Sequence, residues 1–210
     1  MSPVAFRFAL AVTICTWVGF AIATPVAAAG ADDAHVVIRI YDTGVSTADV
    51  RDAAIRTAAG ILQDAGVEIE WHDCTDGVAP ACRNPQPARN LIVRIMPAEI
   101  MRARSAAEVR ANLEDSDFPL GFAVVDPVKH TGAMATIFHD QVLSVARRSG
   151  LDGSELLGRT LAHEIGHLLL RVRGHSRRGL MRAVWTDAEL TMNRPEDWVF
   201  TALDRRRLQH

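Results

Sequence analysis

The chain carries no large excess of charge of either sign: 23 Lys and Arg stand against 25 Asp and Glu, a formal net charge of −2. With no basic surplus, nucleic acid is excluded as the main partner, because binding phosphates calls for a strongly positive face. Cysteine is scarce, three in 210 residues, too few for the two thiolate pairs of a four-cysteine metal site. There is no internal repeat and no low-complexity tract. The acidic run Glu114-Asp115-Ser116-Asp117 lacks the ligand spacing and the glycine of a calcium loop, so it reads as a solvated linker. The longest apolar stretch, Phe8 to Ala23, falls short of the roughly 20 residues of a membrane span and has no basic flank to stop transfer.

That stretch follows a single basic residue, Arg7, and leads into Pro25-Val26-Ala27-Ala28-Ala29, the small-x-small pattern of a signal-peptidase site. Residues 1–29 are therefore expected to be a signal peptide, and 30–210 one globular domain in the secreted or periplasmic space, with no stable membrane anchor. At 49% hydrophobic composition the remainder suits a single sizeable core, and the expected assembly is a monomer. Loss of Arg7 leaves 22 Lys and Arg against 25 Asp and Glu, a mature net charge of −3. Cys15 departs with the leader. Cys74 and Cys82 then bracket a loop containing Gly77 and Pro80, as a short disulfide in an oxidising compartment would.

Along the mature chain, His35 to Tyr41 is a β-branched run ended by Asp42-Thr43-Gly44 and predicts a strand. A helix follows from a capping-box-like Ser46 and Asp49 to Gly66. Val67 to His72 alternates as a half-buried strand, and Asp73 to Arg89 reads as an irregular, exposed loop. Asn90 to Met96 is a further strand, with a helix from Pro97 towards Leu113. Leu120 to Val125 and Ala133 to His139 form two strands joined by a long hairpin loop, followed by a helix from about Gln141 to Arg148. Asp152 then caps a helix with Glu155 at its third position, and Thr186 with Glu189 and Thr201 with Asp204 start two short helical segments. This order predicts an α+β fold, a mixed twisted β-sheet with helices packed on it.

The chemistry lies in the helix capped by Asp152, at His163-Glu164-Ile165-Gly166-His167. Residues i and i+4 of a helix project from nearly the same side, so the imidazoles of His163 and His167 can hold one metal ion. Glu164, one residue on, flanks that ion, where a carboxylate can accept a proton from water. About 1% of chains this long would contain His-Glu-x-x-His by chance at ordinary residue usage, and the context lowers that figure. Leu157, Leu161, Ile165, Leu168, Leu169 and Val172 form one apolar arc, while the histidines occupy another, flanked by Leu156 and Leu170. Gly174 can adopt positive φ and turn the chain, so that His175 returns as a third ligand.

These residues resemble the metzincin clan of zinc peptidases, whose pattern is H-E-x-x-H-x-x-G-x-x-H followed by a turn bearing a methionine. The run through His175-Ser176, Gly179-Leu180-Met181-Arg182 is most similar to a group of secreted bacterial metallopeptidases. The resemblance implies a zincin-like catalytic domain with one zinc per chain held by His163, His167 and His175. It makes Glu164 the catalytic base, Met181 the turn methionine, and peptides or proteins the substrates. It also implies a sheet edge bordering the cleft, a role open to Leu120–Val125 or to Ala133–His139. Two departures stand out. His175 comes two residues later than in the clan pattern, with Leu170 and Arg173 at the clan's glycine and histidine positions, a difference that another half-turn of helix through Leu170 and Arg171 would absorb. The tyrosine that assists the oxyanion in some metzincins has no counterpart, since Tyr41 is the only tyrosine.

Asp187 and Glu189 are rival third ligands, which would make a two-histidine, one-carboxylate site. Trp185 and Trp198 are read as core or cleft-wall residues, and His72, His130 and His139 as ordinary polar positions, the last two able to line the cleft. The expected activity is that of a secreted zinc endopeptidase. The competing reading is a metal-stabilised fold that binds a peptide or cell-wall partner without cleaving it. Export predicts that the unreduced mature chain will weigh two hydrogens less than its sequence requires. Free thiols at Cys74 and Cys82 in the exported protein would count against it.

Overall fold

Val36–Asp42 forms the expected first strand, β1, with Ile38 and Ile40 fully buried. In the computed structural model, which describes residues 36–83, 90–100, 119–126, 128 and 131–209, β1 is one of five strands. The others are β2 (Ile69–Asp73), β3 (Asn90–Met96), β4 (Gly121–Asp126) and β5 (Thr131–Phe138). Their order across the sheet is β2-β1-β3-β5-β4, with every pair parallel except β4, which runs antiparallel to β5. The strand-to-strand hairpin predicted around residue 128 therefore places β4 at the edge and β5 inside the sheet. The mixed sheet with packed helices is the α+β architecture expected from the element order. The described residues belong to one compact unit that begins at Asp33. The predicted signal peptide and most of the helix expected from Pro97 to Leu113 lie outside the described residues.

Two helices carry most of the packing. α1 (Ala48–Asp64) buries Ala54, Ala58 and Leu62, and crosses the long helix α4 (Gly153–Leu170). Between them come the short α2 (Pro80–Arg83) and α3 (His139–Ser149). Beyond α4 follow α5 (Asp187–Met192), a 3-10 turn at Pro195–Trp198, and α6 (Ala202–Leu208). Ile38, Ile40, Val93, Ile95, Ala135 and Ile137 face the main core together with Leu157, Leu161 and Ile165 of α4. Because successive strand residues alternate, Met96 and Phe138 point to the opposite face, where they form a second, smaller cluster with Ala98.

Three local expectations are corrected. The cap of α1 is Thr47, whose side chain accepts from Val50 N, and not Ser46. Ser46 is already committed to Asp42, a buried carboxylate that also gathers the amides of Gly44, Val45 and Ser46 after β1. The loop from Asp73 is less irregular than predicted, since it contains α2 and buries Cys74 to 2% exposure in a disulfide with Cys82. α3 begins directly after β5, two residues before the predicted Gln141, and leaves no intervening loop.

The crossing of α1 and α4 depends on Gly158. A Cβ there would lie 2.5 Å from the Thr57 Cβ and 2.6 Å from the Ala54 carbonyl oxygen, so only glycine allows the backbones this close. Replacing an interior helical glycine by alanine ordinarily stabilises by about 0.5–1 kcal/mol. Gly158→Ala is expected to do the reverse, costing about 1–3 kcal/mol through forced separation of the helices. Denaturant unfolding with an unchanged m-value reads this out, and a stabilised variant would show that the crossing is not tight.

Candidate metal centre

The site is built on α4. Asp152 caps it, accepting hydrogen bonds from the amides of Ser154 (2.9 Å) and Glu155 (3.0 Å). Glu155 does not complete a capping box; it pairs one turn on with Arg159. From Leu156 to Leu168 every residue of α4 is buried, so the helix is enclosed all round and not two-faced, as the apolar arc alone predicts. Its histidine side is covered by the chain from Leu180 to Trp185.

Burial fixes both rings. His163 Nδ1 donates to the Leu180 carbonyl at 2.8 Å, and His167 Nδ1 donates to the Val172 carbonyl at 2.9 Å. With their Nδ1 protons committed, neutral rings carry their lone pairs on Nε2. His167 Nε2 lies 3.1 Å from His163 Nε2 and 3.2 Å from His175 Nε2. Burial, with the neighbouring imidazoles adding to it, pushes His163 down to about 3, and desolvation also lowers His167 and His175. All three therefore favour the neutral state that binds metal. Nitrogens about 2.0–2.1 Å from one tetrahedral zinc stand roughly 3.3–3.4 Å apart, so the donor set fits such an ion. Among the described residues this is the one trio of His, Cys, Asp or Glu so arranged, with its atoms within 4.8 Å of one another.

The route to His175 differs from the sequence expectation. Gly174 is not in the left-handed region; Arg171 is, at φ 58°, ending α4 directly after Leu170 with no extra half-turn. The amide of Val172 then returns to the His167 carbonyl (3.3 Å) while its own carbonyl meets the His167 ring. That double return holds Arg171 in a conformation glycine would take more readily. The glycine that does require positive φ is Gly179, at 73°, where a Cβ would meet the Val199 carbonyl at 2.5 Å.

His175 itself is exposed, but its loop is tied at three points. Ser176 N donates to the Met181 carbonyl at 2.7 Å, Ser176 Oγ donates to the buried Asp204, and Arg173 Nε donates to the Val125 carbonyl of β4 at 2.9 Å. Asp204 also caps α6 through Thr201, as its spacing predicts. The sequence reading missed its second partner, because no local pattern links positions 28 residues apart. Met181 lies beneath α4, its sulfur 2.7 Å from where a Gly166 Cβ would be.

Glu164 is 6% exposed, and burial raises it to about 8. Gly121 at the start of β4 is what lets the edge strand approach, since a Cβ there would be 3.1 Å from Glu164 Oε1. A cleft of about 630 Å³ opens over Glu164, His163 and His175, between the start of β4, α3 and the segment from Arg182 to Leu190. Trp185 forms part of its wall, edge-on to His163 at 5.6 Å, and its Nε1 shares the Leu180 carbonyl. Trp198 stands behind it at 5.2 Å, under the Arg159 guanidinium. The rival ligand Glu189 accepts from Thr186 and pairs with Arg182, whereas Asp187 lines the cleft apart from the histidine trio. His139 is buried at the start of α3, His72 pairs with Glu70, and His130 lies outside the described residues.

No family model and no curated protein matches the sequence. Solved structures do match the fold, two zinc peptidases among them. A zinc-dependent peptidase from Methanocorpusculum labreanum aligns over 82% of this chain and 99% of its own, at a TM-score of 0.51 and 16% identity. Archaemetzincin from Methanopyrus kandleri aligns over 86% and 97%, at 0.50 and 13% identity. The chain thus has the zinc-peptidase fold of these two structures.

The opposed shifts set the pH response of the metal-free protein. Glu164 moves from 4.5 to about 8 on folding, so folding takes up a proton between those values and stability falls as pH rises through them. His163 moves from 6.5 to about 3, so unfolding takes up a proton there and stability falls as pH drops, with His167 and His175 acting in the same direction. Chelated protein should be most stable near pH 6.5, and Glu164→Gln should flatten the alkaline limb and steepen the acid limb above about pH 4.5. Denaturation midpoints across about pH 5 to 8.5 test this; an alkaline limb that persists in the variant would assign it to another group.

Proposed function

We propose that the protein is a zinc-dependent endopeptidase acting outside the cytoplasm, with Glu164 as its general base. The observation that carries this reading is the convergence of three imidazole Nε2 atoms beside a buried carboxylate, in a cleft bordered by an antiparallel edge strand. His163, His167 and His175 would hold the metal. Zinc in that position supplies a Lewis acid and an acidified water.

The remaining roles belong to the chain. Among the described residues β4 is paired on one side only, so that edge can hydrogen-bond an extended peptide laid antiparallel to it across the cleft. Glu164 lies against β4 at Gly121 and can take the proton from the attacking water, then pass it to the leaving amine. A tyrosine hydroxyl takes no part, as Tyr41 is on β1, separated from β4 by β3 and β5. A non-catalytic binding module is disfavoured by Glu164: a carboxylate buried until its proton is held to about 8 gives nothing to a purely structural metal site.

Export is supported by the leader-like N-terminus and the Cys74–Cys82 disulfide. Among the described residues no helix is long and apolar enough to cross a membrane. On this reading residues 30–210 act as a monomeric domain carrying one zinc.

Glu164→Gln should lower peptide hydrolysis by about 10²- to 10⁴-fold with bound zinc retained. His175→Ala should lose most zinc affinity, while Glu189→Ala binds zinc near-normally. Full activity in the Gln variant removes Glu164 from its role, and a zinc loss confined to Glu189→Ala reassigns the third ligand.

A further inference from the structure

Trp185 is set apart from the segment that carries it. Its neighbours Ala183, Val184 and Thr186 are exposed, whereas Trp185 is half-buried and packs against the main core. A tryptophan turned inward must find an acceptor for its N–H, and Nε1 donates to the Leu180 carbonyl at 3.2 Å. The same carbonyl receives His163 Nδ1 at 2.8 Å, and one carbonyl oxygen has lone pairs for both donors. The two rings meet almost at a right angle, 89°, with centroids 5.6 Å apart. Trp185 is backed in turn by Trp198, edge-to-face at 5.2 Å, whose own Nε1 donates to the Asn193 side-chain oxygen at 3.0 Å. Arg159, one turn before His163 on α4, lies over Trp198 at 4.0 Å and pairs with Glu155. This buried arginine, which has no part in the chemistry, thus closes the far end of a stack that ends on a metal ligand. Both His163 and Trp185 line the cleft. By covering the shared carbonyl, the indole keeps cleft water from competing for the bond that fixes the His163 ring, and a hydrogen bond shielded from water is the stronger one.

We propose that Trp185 is a positioning residue for the metal ligand His163: its ring, set at this angle by the acceptor the two share, walls in the imidazole and keeps Nε2 aimed towards His167 and His175. The Leu180 carbonyl orients His163 directly, as the second partner of a ligating imidazole does, and Trp185 acts one step further out, on that carbonyl and on the ring. The inference rests on the metal-site part of the proposed function and is independent of peptide cleavage.

The test is zinc affinity, measured by competition with a chromophoric chelator, beside the visible absorption of the cobalt-loaded protein, which reports ligand geometry. Trp185→Ala should bind zinc about 10- to 100-fold more weakly than wild type and should alter the cobalt absorption. Trp185→Phe, which restores an aromatic wall between Trp198 and His163, should return zinc affinity to within about fivefold of wild type. A residue serving only as cleft wall would change KM for a peptide and leave zinc affinity and the cobalt absorption as in wild type, and that result overturns the proposal. A Phe variant as weak in zinc binding as the Ala variant also overturns it, since the ring is then not what holds His163. If Trp185→Ala does not fold, Trp185→Leu, which keeps apolar bulk without a flat ring, is measured in its place. Wild-type protein that binds no zinc removes the metal site and the proposal with it. Wild-type protein that binds zinc but cleaves no peptide removes only the peptidase reading, and the affinities of the variants still decide the role of Trp185.

Discussion

The hydrogen bonds from His163 and His167 to the carbonyls of Leu180 and Val172 are the constraint on which the rest of the site depends. An imidazole enclosed in apolar surroundings must place its N–H on an acceptor or bear the full cost of desolvation. α4 offers none, because its own carbonyls are engaged within the helix. The acceptors therefore come from the chain that follows, and this dictates its path: back over the histidine side at Val172, outward through His175, and under the helix again at Leu180 and Met181. The same bonds set the tautomer and aim each Nε2 at the others. The requirement that a buried helix satisfy its histidines thus also gathers the third one.

How firmly that path is held follows from what anchors it. His175 is exposed, and an exposed loop would leave its ring free to wander. Ser176 prevents this by bonding to Met181 within the same loop and to Asp204 at the start of α6. Arg173 ties the other flank to β4. The last short helix, far along the sequence from the motif, is therefore part of the positioning apparatus. Its buried capping aspartate serves the helix start and the loop at once.

The legible part of the molecule was the part written locally. His-Glu-x-x-His on a capped helix, the capping pairs at Thr186 and Thr201, and the β-branched runs of β1 and β3 are short-range patterns, and each appears as an element where predicted. The strands around residue 128 were also legible, but not which of them formed the edge, since pairing of β5 with β3 is a long-range choice. The turn after α4 was misplaced for a related reason. Glycine propensity favours Gly174, yet the two returns of Val172 to His167 hold Arg171 in the left-handed region instead. Tertiary bonds overrode propensity at one residue. Gly121, Gly158 and Gly166 looked ordinary in sequence, because their role is to leave room for a neighbour that only the fold brings near.

Glu164 shows how function and stability meet in this arrangement. Burial alone holds its proton to about 8, and among the described residues no hydrogen bond stabilises its charged form. In a structural position that would be a defect, since aspartates elsewhere in the chain are supported: Asp152 by Ser154 and Glu155, Asp73 by Thr75 and Arg51, both held below the usual carboxylate range. Glu164 has no such support, and it stands against a glycine that brings the edge strand within contact distance. Positive charge gathered by the adjacent imidazoles would favour its ionised form, opposing burial. A carboxylate that burial holds protonated and nearby positive charge ionises is one whose proton the surroundings can move. The lack of hydrogen bonds that weakens Glu164 as a structural residue is therefore what the proposed role as a base would use.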